Sequence, residues 1–175
     1  FDGAVNDELY LYRMEYYGFD GFDKDNRSLT APTEAGRYKA VAVTKENLYY
    51  ESILSDEINV TVVPKEIEAT AILENPTYDR DKSYGNGDVL RSGVTAYDIT
   101  VTGLETKAKY YKAEGYDIKL VIGNPNYYWK GNVLPEEWWA EENAEAFAAC
   151  RETDATFAVK RREIEYSVSG TTEFY

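Results

Sequence analysis

The sequence predicts an all-β protein built as two tandem β-sandwich modules, the second carrying a short helical insert at about 135–150. Three observations predict it. Apolar residues alternate with polar ones on both sides of Pro64: Ile58, Val60 and Val62 with Asn59 and Thr61 before it, and Ile67, Ala69 and Ala71 with Glu68 and Thr70 after it. A period of two is the mark of half-buried strands, and a proline cannot donate to a ladder, so Pro64 divides them. A second such join lies at Ala155–Gly170, where Phe157 and Val159 precede a charged hinge and Ile164, Tyr166 and Val168 follow it. The chain also holds 17 tyrosines, a residue that favours strands.

Phe1–Ala4 reads as a turn. Leu9–Tyr17 reads as a strand with Leu9, Leu11 and Arg13 on one face and Tyr10, Tyr12, Met14 and Tyr16 on the other. A polar loop covers Gly18–Pro32. Gly36–Val43 is the next strand, with Tyr38, Ala40 and Ala42 opposite Val41 and Val43. A tight turn at Thr44–Asn47, Tyr49 and Tyr50, and the strand before Pro64 complete the first module. The second half repeats this order. Ile67–Leu73 is its first strand, Tyr78-Asp79-Arg80 stands for Phe1-Asp2-Gly3, Val94–Val101 is a strand, Glu114-Gly115 answers Ala35-Gly36, and Tyr116–Ile122 and Thr156–Val159 are strands. The predicted boundaries are 1–63 for module one, lacking its first strand, and 64–160 for module two. Residues 161–175 are the first strand of a following module or a tail.

The insert lies between Gly131 and Ala155. Pro135 suits the first position of a helix, and Glu136 and Glu137 suit its first turn, where the helix dipole favours acids. Glu137–Cys150 is rich in Ala and Glu and lacks Gly and Pro. Trp139, Asn143, Ala146, Phe147 and Cys150 share one helical face, expected to pack on the second sandwich. Trp138 lies about 100° round from Trp139 and is expected to be less covered.

Composition bounds the function. At 175 residues the chain is long enough for two modules of about 85–90, each able to bury a core. A net charge of −13 argues against nucleic acid or an anionic membrane as partner. There is no histidine, so the commonest general base and metal ligand is missing. Cys150 is the single cysteine, which excludes an intrachain disulfide. No apolar run reaches the roughly 18 residues of a membrane span, and Phe1 does not open a signal peptide; the numbering suggests an excerpt from a longer protein.

Candidate chemistry is sparse. Asp23-Lys24-Asp25-Asn26 with Glu34 imitates a calcium loop, but Arg27 stands at a ligand position without a following glycine, so a solvated turn is the preferred reading. Cys150 reads as a small buried hydrophobe rather than a nucleophile. Glu136, Glu137, Glu141 and Glu142 read as a solvated helix face rather than the carboxylate pair of a glycosidase. Trp129, Trp138, Tyr127 and Tyr128 are the candidate ligand-binding residues, able to stack on sugar rings, but core packing under the insert is the preferred reading. No catalytic residue, resident metal or cofactor is expected.

One resemblance accounts for these motifs together. Phe1-Asp2-Gly3, Ala35-Gly36-Arg37-Tyr38, Asn47–Tyr50 and Lys65–Ile67 resemble the bacterial Ig-like repeats of the MBG and YDG kind. So do Tyr78-Asp79, Gly115-Tyr116, Asn126–Trp129 and Arg161–Ile164 in the second half. Arg80 departs from the pattern by replacing its glycine. The resemblance implies tandem extracellular β-sandwiches on a secreted or surface protein and carries no catalytic residues. Two functions follow as expectations. One is a structural spacer in a surface stalk whose partners are neighbouring repeats. The other is an adhesin module that holds a host or matrix glycan or protein through loops or the Trp-bearing insert. Neither involves nucleic acid or membrane insertion. The offset between repeat and visible chain suggests, with equal weight, that Ile164–Val168 pairs with an open edge of module one in a neighbouring molecule or that residues precede Phe1 and the tail simply caps the second module.

Overall fold

A computed structural model describes residues 11–18, 27–44, 51–80, 82–104 and 110–167. Phe1–Ala4, Asp23–Asn26, Asn47–Tyr50 and Val168 lie outside the described residues. The protein is mostly strand, in antiparallel sheets, with few helices.

In chain order the elements begin with β1 (Leu11–Gly18), β2 (Gly36–Thr44) and β3 (Ile58–Val62). A short strand β4 (Lys65–Ile67) follows, then two one-turn helices, α1 (Ala69–Ile72) and α2 (Asn86–Val89). Next come β5 (Ile99–Thr102), β6 (Tyr116–Ile122) and β7 (Tyr127–Trp129). Helix α3 (Ala144–Cys150) and β8 (Glu152–Phe157) close the order. The sheets are β1-β2-β3, β4-β7 and β5-β6-β8. Both three-stranded sheets place the middle strand of the sequence trio at the centre.

The chain divides into two compact units. The first comprises Phe1–Lys65, Pro125–Tyr127 and Leu134–Phe147; the second comprises Glu66–Asn124, Tyr128–Val133 and Ala148–Tyr175. The first unit thus draws in 125–127 and 134–147, which the sequence reading gave to the second module.

In the first unit, β2 pairs with β1 from Thr44↔Leu11 to Tyr38↔Gly18 and with β3 from Gly36↔Val62 to Ala40↔Ile58. A register irregularity between Leu11 and Arg13 lets Glu15 and Tyr17 share a face with Val41 and Val43. Tyr17, Val41 and Val43 form a buried cluster there.

In the second unit, β6 follows the period of two closely. Tyr116, Ile118, Leu120 and Ile122 are buried, whereas Asp117 and Lys119 are exposed. Each fully buried apolar side chain of this kind stabilises by about 1.5–3 kcal/mol relative to exposure. Phe157 on β8 lies opposite Tyr116, with ring centroids 5.4 Å apart.

Four expected elements differ. The strand predicted over Ile67–Leu73 stops at Ile67 and turns into α1, with the Leu73 amide donating to the Ala69 carbonyl at 3.2 Å. Ile67 and Ile72 are both buried. Five positions apart, they would fall on opposite faces of a strand; one helical turn between them buries both, and Ala is the best helix former. The strand predicted over Val94–Val101 begins at Ile99. Residues Val94–Tyr97 form a 3₁₀ turn, and Asp98 leaves it at φ 51°. The helix predicted over about 135–150 runs only from Ala144. Glu137–Trp139 are turns and Ala140 is extended at φ −75°, ψ 142°, so Pro135 is not its first residue. The strand predicted over Thr156–Val159 is instead β8, which ends at Phe157.

Two further expectations fall in the same stretches. Ile164–Ser167 are exposed and outside any strand. Ala146, expected on the buried face of the helix, is exposed.

Candidate functional site

The first unit carries an open cleft of about 400 Å³. Antiparallel pairing sets Tyr16 beside Ala40 and Gly18 beside Tyr38, so the two tyrosines stand on one face of the sheet. Ser28 crosses the end of β1, exchanging backbone hydrogen bonds with Tyr16 at 2.9 and 2.8 Å. That contact lays Thr30, Pro32 and Glu34 along the opposite wall. The Tyr38 hydroxyl donates to the Glu34 carbonyl at 2.9 Å.

Asn126 fixes this wall. Its Nδ2 donates to the Glu34 carboxylate and its Oδ1 accepts from the Ala35 amide, while its carbonyl accepts from the Lys65 amide at 2.7 Å. Aromatic faces, hydroxyls and one carboxylate around an open cleft suit a polar ligand with some apolar surface. They do not supply a nucleophile with an adjacent base.

The other face of the same sheet carries a buried carboxylate. Glu15 is 3% exposed and accepts from Arg13 Nε at 2.6 Å and from Arg27 Nη1. Burial alone pushes its pKa up; the Arg13 hydrogen bond and the two guanidinium charges overcome that and hold it below the usual value. A depressed pKa contributes stability that is present above the unfolded value, about 4.3, and is lost as pH falls through the folded value. Glu15→Gln is expected to cost about 1.5–3 kcal/mol at neutral pH and to flatten the acid limb of the stability profile. Urea titrations from pH 3 to 7 measure both effects. Nearby Tyr17 is pushed up to about 12, first by burial and then by a hydrogen bond to Glu57. Its stabilising part is therefore full below pH 10 and lost as pH rises through 12.

The second unit has a polar saddle of about 500 Å³ on the solvent face of its sheet, lined by Thr102, Gly103, Asp117, Lys119, Asp154 and Thr156. Its charges serve cross-strand contacts. Lys119 Nζ lies 3.1 Å from Glu152, and Thr156 Oγ1 donates to Asp117 at 3.1 Å.

The sequence-nominated residues are not brought together as a platform. Trp129 is 1% exposed and Trp138 7%. Neither indole presents a free face to a sugar. Tyr127 and Tyr128 are half-buried in β7.

The expected ranking of the insert tryptophans is inverted. Trp138 is the buried ring, packed 5.3 Å from Phe147 and 5.6 Å edge-on from Trp139, whereas Trp139 and Phe147 are half-buried. The extended backbone at Ala140 ends the helical phase that would have put Trp139 inside. Trp139 instead lies in the first unit under the Arg37 guanidinium, 5.0 Å from its centroid. Trp138→Ala is therefore expected to lower the melting temperature more than Trp139→Ala, and calorimetry of the two variants checks it.

Cys150 is buried, and burial pushes its thiol pKa up, the opposite of an activated nucleophile. Glu136, Glu137, Glu141 and Glu142 are all exposed. Among the described residues no group of three His, Cys, Asp or Glu side chains is placed to hold a metal, and no helix is long and apolar enough to cross a membrane.

Sequence reading missed Glu15, Asn126 and Asn132. Asn132 Nδ2 donates to the Cys150 and Glu152 carbonyls at 3.0 and 2.9 Å, closing the end of α3. Glu15 carried a signal, a charge at the centre of an aromatic strand; the asparagines carried none.

Fold and site together define a sheet-rich protein of two units with an open tyrosine-lined cleft. No protein-family model matches the chain, and no curated protein or solved structure matches it.

Proposed function

We propose that this chain is a non-enzymatic, Ig-like repeat fragment that serves as a structural spacer in the stalk of a bacterial surface protein, with neighbouring repeats as its partners. The observation that carries the reading is the shared plan of the two sheets. In each, three strands pair antiparallel with the one that is middle in chain order at the centre: β1-β2-β3 and β5-β6-β8. A glycine precedes or opens the central strand in both, Gly36 and Gly115. Repeated sheets with their own buried residues suit a module whose task is to hold distance.

The tyrosine cleft favours a second reading, an adhesin module that holds a glycan or an extracellular protein. A glycan array and immobilised matrix proteins separate the two. A spacer is expected to bind none of them. An adhesin is expected to bind at least one and to lose it on Tyr38→Ala, a half-buried residue at the cleft.

A further inference from the structure

The first unit's sheet ends in a strand with an open edge. β3 pairs with β2 on one side, and no described strand pairs with its other side. Its residues are ordered by face. Ile58 and Val60 lie on the face of Ala40 and Tyr38, whereas Asn59 and Thr61 lie on the face of Lys39 and Arg37. That second face also carries Arg13, Glu15 and the buried Tyr17, Val41 and Val43, and Lys39 on it pairs with Glu57 at 2.6 Å. Ile58 is 52% exposed, a large apolar side chain at an unprotected edge.

The described chain holds one segment with the matching pattern. Glu163-Ile164-Glu165-Tyr166-Ser167 alternates acid and apolar, belongs to no strand, and leaves Ile164 84% and Tyr166 86% exposed. Two exposed apolar side chains two positions apart are half a strand face without a sheet.

We propose that Glu163–Ser167 adds as a fourth strand to the outer edge of β3 in a second copy of this chain. Antiparallel addition continues the pattern of the sheet and is the slightly more stable pairing. One register satisfies both faces: Tyr166 opposite Ile58, Ile164 opposite Val60, Glu165 opposite Asn59 and Glu163 opposite Thr61. The apolar pair then covers Ile58 and extends the row through Ala40 and Tyr38. The two acids fall in the rows of Lys39 and Arg37, one strand further in. With strands about 4.8 Å apart, those backbones are about 10 Å away, within the span of a lysine or arginine side chain. Slipping by one residue would put Ile164 and Tyr166 in the rows of Lys39 and Arg37 and both acids in the rows of Ala40 and Tyr38, so these neighbours favour the stated register. An exposed edge that templates another chain is a known route to strand addition. The proposal stands apart from the spacer reading: a spacer need not self-associate, and an adhesin can.

Sedimentation velocity of the chain over a concentration series tests it. The wild type is expected to gain mass with concentration. Ile164→Asp is expected to weaken association about tenfold or more by losing one buried apolar side chain. Because Ile164 lies outside every strand and helix, this variant should fold as the wild type does. Asn59→Glu places a like charge opposite Glu165 and is expected to weaken association about fivefold. Adding Glu165→Lys to it is expected to restore the wild-type value. A wild type that stays monomeric at every concentration overturns the proposal. So does association that Ile164→Asp leaves unchanged, or an Asn59→Glu loss that Glu165→Lys does not rescue.

Discussion

Trp129→Ala is expected to destabilise the second unit by about 3–5 kcal/mol, the range for emptying a large aromatic site. Trp129 is 1% exposed at the end of β7. Its backbone is held on both sides: the Lys130 amide donates to the Ile67 carbonyl at 2.8 Å, and the Asn132 amide to the Trp129 carbonyl at 3.1 Å. A site so tied cannot collapse around the void, which places the cost at the upper end. The indole Nε1 is buried without a hydrogen-bond partner among the described residues. An unmet buried donor already costs about 1–3 kcal/mol. Trp129→Phe removes that donor while keeping most of the ring, so its cost should be well below that of alanine. Urea denaturation of the two variants checks the order. Equal losses would mean that the ring volume is not what the site needs.

Gly115→Ala carries the second large effect, about 2–5 kcal/mol. Two terms add. The residue sits at φ 75°, where a Cβ costs about 1–2 kcal/mol. That Cβ would also lie 2.6 Å from Thr156 Cγ2 and 2.8 Å from the Phe157 carbonyl oxygen. Such overpacking costs about 1–3 kcal/mol. Phe157 is fully buried and stacked on Tyr116, so its backbone has nowhere to go. Gly131 supplies the control. Its φ is 93°, but no atom lies within 4 Å of a Cβ there, so Gly131→Ala should show the backbone cost alone. If both variants melt alike, the crowding at Gly115 is not real.

The two effects separate what the chain's pattern announces from what packing imposes. β6 was legible to the residue, Tyr116–Ile122, because its period of two is unbroken and its polar positions are charged. In the other unit, β2, expected over Gly36–Val43 and running Gly36–Thr44, was legible from its alternating Arg37-Tyr38-Lys39 and the apolar run Ala40–Val43. The strand-rich class followed from such runs. The candidate site was not legible. For Trp129 and Trp138 the sequence favoured core packing over sugar stacking without deciding between them, because exposure has no signature in residue type. The structure buries both and gives the open cleft to Tyr16, Pro32, Glu34 and Tyr38.

The sequence by itself determined the strand-rich class, the long alternating strands, the acidic charge and the lack of histidine chemistry. These depend on local period and composition. Tertiary structure decided the turn that replaces the strand after Ile67 and the break at Ala140 that exchanges Trp138 for Trp139. It also decided the burial of Glu15 between two arginines and the role of Asn126 in the cleft wall. Asn126 answers Glu34 and Ala35 some 90 positions away, and Glu15 answers Arg27 as well as Arg13. A weak local preference of a few tenths of a kcal/mol yields there to burying a whole side chain or satisfying a charge, terms several times larger.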